Sequence, residues 1–213
     1  MFLATCSGLR ASRRIAGALF AVSLLLAPAS ASAQAGAEMT KESAAVVKAA
    51  FLADLDGMRG KFLGLAEAFP PDKYTWRPME GVRSVAEVLM LIASEGYGFA
   101  PTSLGGKAAL SREETGTLSK ISDKAQVISH LTKAFAHAKQ ALEAIDPATL
   151  VGRRRAMGQE RTTPEIVLFV AGDMHEHLGQ LIAYARMNRI VPPWSKEPFD
   201  GATGARDRTQ PDV

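Results

Sequence analysis

Two histidines and two carboxyl groups crowd the stretch DMHEHLGQ, from Asp173 to Gln180. Imidazole nitrogens and carboxylate oxygens are the donors that divalent-metal sites and proton-transfer sites share. Spacing decides which of them can cooperate. On a helix, residues four apart lie one above the other, whereas residues two apart point in nearly opposite directions. Asp173 and His177 therefore fall on or beside an apolar stripe formed by Ile166, Val170, Met174 and Leu181. His175 points away from that stripe and is expected to be wet, with Glu176 on the flank.

A third group belongs with the inward pair. Glu95 follows Val88 by seven residues and Ile92 by three, which sets it near the middle of another apolar stripe. A carboxylate there is costly to bury unless it is paired, hydrogen-bonded or metal-bound. Glu95, Asp173 and His177 are thus three ionisable groups on the inward faces of two helices. Three readings remain open for them: a structural polar cluster, a bound divalent metal, or acid–base chemistry without a metal. His130 and His137, seven apart on a further helix, read as solvated side chains, with a dimer surface as the alternative.

Four amphipathic segments must position these groups. The first runs from about Ala44 to Phe69, with Val47, Phe51, Leu55, Met58, Phe62, Leu65 and Phe69 inward and Pro70-Pro71 ending it. The second opens on Ser84-Val85-Ala86-Glu87, a capping box, carries Val85, Val88, Leu89, Ile92 and Phe99 inward, and is expected to close at Pro101. A polar loop then reaches about Ile121. The third carries Ile128, Leu131, Phe135, Ala138, Leu142 and Ile145, with Ser122 as its expected cap. The fourth opens at Thr163-Pro164, runs to about Asn188 and cannot pass Pro192-Pro193. No strand-like alternation of useful length is visible. The pattern predicts an all-α antiparallel four-helix bundle over residues 44–194, and the two long loops leave room for a less regular connection.

The ends read differently. Arg10, Arg13 and Arg14 precede the apolar run Ile15 to Ala27, and Ala31-Ser32-Ala33 makes an A-x-A site. That order predicts a cleaved signal peptide over 1–33 and export to the periplasm or the exterior. Residues 34–43 are expected to be a flexible N-terminus, and 195–213 a poorly ordered tail rich in breakers. The whole chain holds 25 basic and 22 acidic side chains, but three arginines and no acid lie in the leader. The remaining 180 residues are therefore balanced, which argues against nucleic-acid binding. Cys6 is the chain's one cysteine and leaves with the leader, so no disulfide or thiolate chemistry is expected of the mature protein.

Two blocks carry a resemblance. YTWRPMEGVRSVAEVLMLIASEGYGF, from Tyr74 to Phe99, and EHLGQLIAYARMNRIVPPW, from Glu176 to Trp194, resemble the DinB-like superfamily in its exported branch. The resemblance implies a DinB-like bundle, a homodimer, and a divalent metal held by one histidine from helix two and an H-x-x-x-H pair from helix four. Carried onto this chain, the last histidine is His177, its partner falls on Asp173, and the helix-two histidine falls on Leu91. Glu95, one turn from Leu91, is the candidate substitute, and such a mixed set favours a more oxygen-seeking metal than three histidines do. The expected metal set is Glu95, Asp173 and His177. Two functions follow: a binding or structural module with a degenerate metal site, or a metal-dependent hydrolase or transferase using the altered ligands.

Overall fold

The structure, a computed structural model, describes residues 39–195; the expected leader and nearly all of the expected tail lie outside them. The first helix, α1, spans Lys41–Ala68 and places Phe51, Leu55, Met58, Phe62 and Leu65 in the core at 2% exposure or less. It starts earlier than Ala44 because Thr40 and Ser43 cap it reciprocally, and Val47 is half-buried rather than part of the core. After Pro70-Pro71 the chain turns through Tyr74, whose buried hydroxyl donates to Ala66 O at 2.6 Å. Burial pushes that phenol well above its ordinary pKa.

Helix α2, Val85–Ser94, begins with the expected box: Ser84 N–H donates to Glu87 Oε2 at 2.7 Å and Glu87 N–H to Ser84 Oγ at 3.3 Å. It does not close at Pro101. A π-helical turn over Glu95–Phe99 leads directly into a short α3, Ala100–Ser103. Proline lacks the N–H that would bond to the carbonyl four residues back, on Tyr97. Ala109 N–H takes that carbonyl instead, at 2.8 Å, so proline is accommodated inside the rod.

The expected loop to Ile121 contains α4, Arg112–Thr117, opened by a Ser111/Glu114 capping box. Helix α5 spans Lys124–Glu143, and its cap is Asp123, not Ser122: the Asp123 carboxylate accepts from Gln126 N–H at 2.9 Å. A two-stranded antiparallel hairpin, β1 Arg154–Ala156 and β2 Gln159–Arg161, follows where no strand was expected. Each strand has three residues, too few for alternation to show. Met157 and Gly158 turn it with φ values of 47° and 76°, the backbone that a tight primed hairpin turn needs. Helix α6 spans Thr163–Met187 and is capped one residue earlier than expected, with Thr162 N–H donating to Glu165 Oε2 at 2.6 Å.

α1 and α2 each pack against both α5 and α6, forming a four-membered ring around the core. Cross-helix contacts give the directions. Lys124, at the start of α5, donates to Glu67 O and Phe69 O at the end of α1, each at 2.7 Å. Lys48, near the start of α1, donates to Glu143 O and Ile145 O at the end of α5, at 2.8 and 2.7 Å. α1 and α5 therefore run antiparallel, each lysine satisfying carbonyls that its partner's C-terminus leaves free. Arg83 meets Tyr184 while Glu95 meets Asp173, so α2 and α6 are antiparallel too. The long connections before α5 and before α6 let the neighbouring pairs α1/α6 and α2/α5 run in the same direction, as crossover bundles do.

Candidate metal centre

Glu95 is the first residue of the π turn, and local sequence explains why the helix widens there. In Glu95-Gly96-Tyr97-Gly98-Phe99 the Ala100 N–H bonds to Glu95 O, five residues back. Gly96 presses on α5 so closely that a Cβ would stand 3.0 Å from the carbonyl carbon and oxygen of Ala134. Such π turns recur at functional sites because they re-aim one side chain without ending the helix. Here the re-aimed side chain is a carboxylate, 7% exposed, facing α6.

Asp173 and His177 approach from α6, one turn apart and half-buried, flanking core residues Met174 and Leu178. The donor atoms of Glu95, Asp173 and His177 all lie within 4.8 Å of one another. All three expected ligands thus converge. Glu95 Oε2 is buried and has no hydrogen-bond partner among the described residues. Burial, then the neighbouring Asp173 carboxylate, push the Glu95 pKa up to about 9, against a smaller opposing pull from Arg83. Two carboxyl groups this close, one of them out of water, need a shared proton or a cation between them.

A divalent cation fits this set on two counts. The unpartnered Oε2 is an open acceptor, and two carboxylates with one imidazole form a donor set suited to hard or borderline metals. Leu91 supplies no donor. It is half-buried in the wall of a cleft of about 510 Å³ that also includes Arg77, Arg83, Met90 and Ser94.

The remaining histidines are placed elsewhere. His175 is outward, as its spacing required, and its Nε2 meets Asp54 at 2.9 and 3.1 Å. His130 lies 3.4 Å from the Tyr97 hydroxyl, and His137 Nε2 lies 2.9 Å from Lys107 O. Both have protein partners rather than being simply solvated. Two residues that the stripe argument passed over stand behind the centre, Gln180 against His177 and Tyr184 against Gln180. Gln180 Oε1 is 3.1 Å from His177 Nδ1, and Gln180 Nε2 donates to the Tyr184 hydroxyl at 2.8 Å. Their signal was present in the spacing: Gln180 is three residues, and Tyr184 seven, beyond His177 on the same helix.

A family model described as the DinB superfamily matches residues 54–181, a span that includes Glu95, Asp173 and His177. No curated protein matches the chain.

Proposed function

The chain belongs to the DinB superfamily, and from that premise we propose that it is an exported metal-binding bundle, with Glu95, Asp173 and His177 holding one divalent cation. The observation that carries this reading is Glu95 Oε2, buried, without a partner, and beside a second carboxylate and an imidazole. By the resemblance, Asp173 stands where the family carries a histidine, one turn from His177, and Glu95 would supply from the π turn after α2 the donor that Leu91 lacks. The cation is of the oxygen-seeking kind, manganese or magnesium before zinc, because carboxylates outnumber imidazole. Its chemical contribution would be Lewis acidity at the bundle surface. The protein's own contribution is rigid placement: Glu95 is fixed by the π turn, and Asp173 and His177 by a helix whose adjoining residues Met174 and Leu178 are core. Support for export comes from the arginine-led apolar leader.

A second reading, a metal-dependent hydrolase or transferase, is favoured by the cleft at Leu91 and Arg83. Arg83 lines it, where its guanidinium could hold an anionic substrate, and the same charge pulls on the Glu95 carboxyl.

Metal analysis after purification, followed by chelation and calorimetric titration with manganese, magnesium and zinc, tests the first reading. One equivalent should bind to the wild type, and Glu95→Gln, Asp173→Asn and His177→Ala should each lose it. Absence of stoichiometric uptake by the wild type would overturn the proposal.

A further inference from the structure

The hydrogen bonds behind His177 form a chain with a defined polarity. Its far end is a backbone carbonyl, Arg83 O, which lies 3.0 Å from the Tyr184 hydroxyl and can only accept. Tyr184 must therefore donate to Arg83 O. Its oxygen is then the acceptor for Gln180, which presents its amide NH₂ at 2.8 Å. That choice turns the Gln180 carbonyl oxygen toward His177 Nδ1, at 3.1 Å. A carbonyl oxygen cannot donate, so the proton in that contact has to belong to Nδ1. The reverse orientation would leave the Tyr184 and Arg83 oxygens facing each other with no proton between them.

The geometry points to Gln180 and Tyr184 as positioning residues that hold neutral His177 in the Nδ1–H tautomer, leaving the Nε2 lone pair for a metal. This rests on the metal-binding reading of Glu95, Asp173 and His177, and adds what makes the imidazole a ligand rather than a donor. In neutral imidazole one nitrogen is a donor and the other an acceptor, and the hydrogen bond made by one sets the role of the other. A ring presenting N–H to the carboxylates would be a good neighbour for them and no metal ligand at all. The chain also ties the centre to the loop before α2. Trp76 packs edge-on against the Tyr184 ring, at 5.4 Å and 81°, and Trp76 O accepts from Val85 N–H at 3.1 Å. The tryptophan of the Trp-Arg-Pro segment thus braces the residue that orients Gln180.

The test reads the tautomer directly, by nitrogen-15 NMR of the metal-free full chain at a pH where His177 is neutral, assigned with His177→Ala. Wild type should show protonated Nδ1 and bare Nε2. Gln180→Glu, which keeps an acceptor, should preserve that pattern. Gln180→Leu should release the ring to the Nε2–H form and weaken manganese binding by about 10- to 100-fold, the usual cost of losing a partner behind a metal ligand. Tyr184→Phe, which leaves the amide free to flip, should give a mixture and a smaller loss. A wild-type ring protonated at Nε2, or a Gln180→Leu ring unchanged in tautomer, would overturn the assignment. Should Gln180→Leu fail to fold, the wild-type spectrum and Tyr184→Phe decide alone. A protonated Nδ1 with no metal uptake sinks the metal reading and leaves the relay; metal uptake with a protonated Nε2 does the reverse.

Discussion

His175 and His177 are two residues apart on α6, each beside a carboxylate, and they do different work. His175 meets Asp54 across the α1/α6 surface at 2.9 Å, with both side chains well exposed, at 46% and 38%. His177 meets Asp173 and a Glu95 that is 7% exposed. Water solvates the first pair whether or not it forms, so its Coulomb attraction is screened and its net worth is small. At the second, one carboxylate has lost its hydration and an oxygen stands without a partner. The chemistry of the side chains is shared; desolvation separates a surface contact from a site.

The largest expected effect that tests this contrast is the pH dependence set by Glu95. Its folded pKa is raised from 4.5 to about 9. Below pH 4.5 the group is protonated folded or unfolded and costs nothing. Between the two values the unfolded chain gives up a proton that the fold retains, so stability falls with rising pH, by at most about 1.4 kcal/mol per unit. Above about pH 9 the loss is complete. Denaturant titrations of metal-free protein should show that decline, and Glu95→Gln should flatten it. Saturating manganese should also flatten it, because the cation favours the ionised carboxylate. A metal-free wild type as flat as Glu95→Gln would erase the distinction between the two histidine neighbourhoods.

A smaller effect should follow from Gly96→Ala. The new methyl would stand 3.0 Å from Ala134 backbone atoms, which cannot swing aside. Overpacking of this kind costs about 1–3 kcal/mol, partly offset by alanine's roughly 1 kcal/mol better helix propensity. Thermal unfolding should show a net loss, and manganese titration a weaker centre, since the π turn that aims Glu95 must shift. The smallest effect belongs to the surface pair. Asp54→Asn and His175→Ala should each change stability by about 0–1 kcal/mol. Metal stoichiometry should stay at the wild-type value in both, and a loss in His175→Ala would mean that the outward histidine also serves the site.

Much of the bundle was legible because burial repeats with the helix. Phe51, Leu55, Met58, Phe62 and Leu65 are core because they recur on one face, and Glu95, Asp173 and His177 were found by the same spacing. The misreadings sit where a short polar competition decides. Asp123 outcompetes Ser122 as a cap because its carboxylate reaches the Gln126 N–H. Pro101 stays inside its helix because Ala109, eight residues later, takes the carbonyl that proline abandons. The hairpin at 154–161 is too brief to alternate, and Arg154 fastens it by donating to Leu104 O, fifty residues away. Nor could stripe reasoning see the polarity of the chain behind His177, since that depends on a backbone carbonyl at Arg83.

The reciprocal lysines of α1 and α5 carry a consequence for how the bundle assembles. Two helices with repeating apolar faces can slide past one another by a turn, about 5.4 Å, and still bury most of what they should. Lys48 and Lys124 remove that freedom. Each stands some twenty residues, or about 30 Å of helix, from the end of its own helix that the other lysine grips. The two helices are therefore matched in length like the jaws of a caliper. A slip that draws one lysine past its carbonyls pulls the other off as well, so an out-of-register pairing forfeits both clasps at once. Correct alignment is thus fixed at two points, one at each end of the pair.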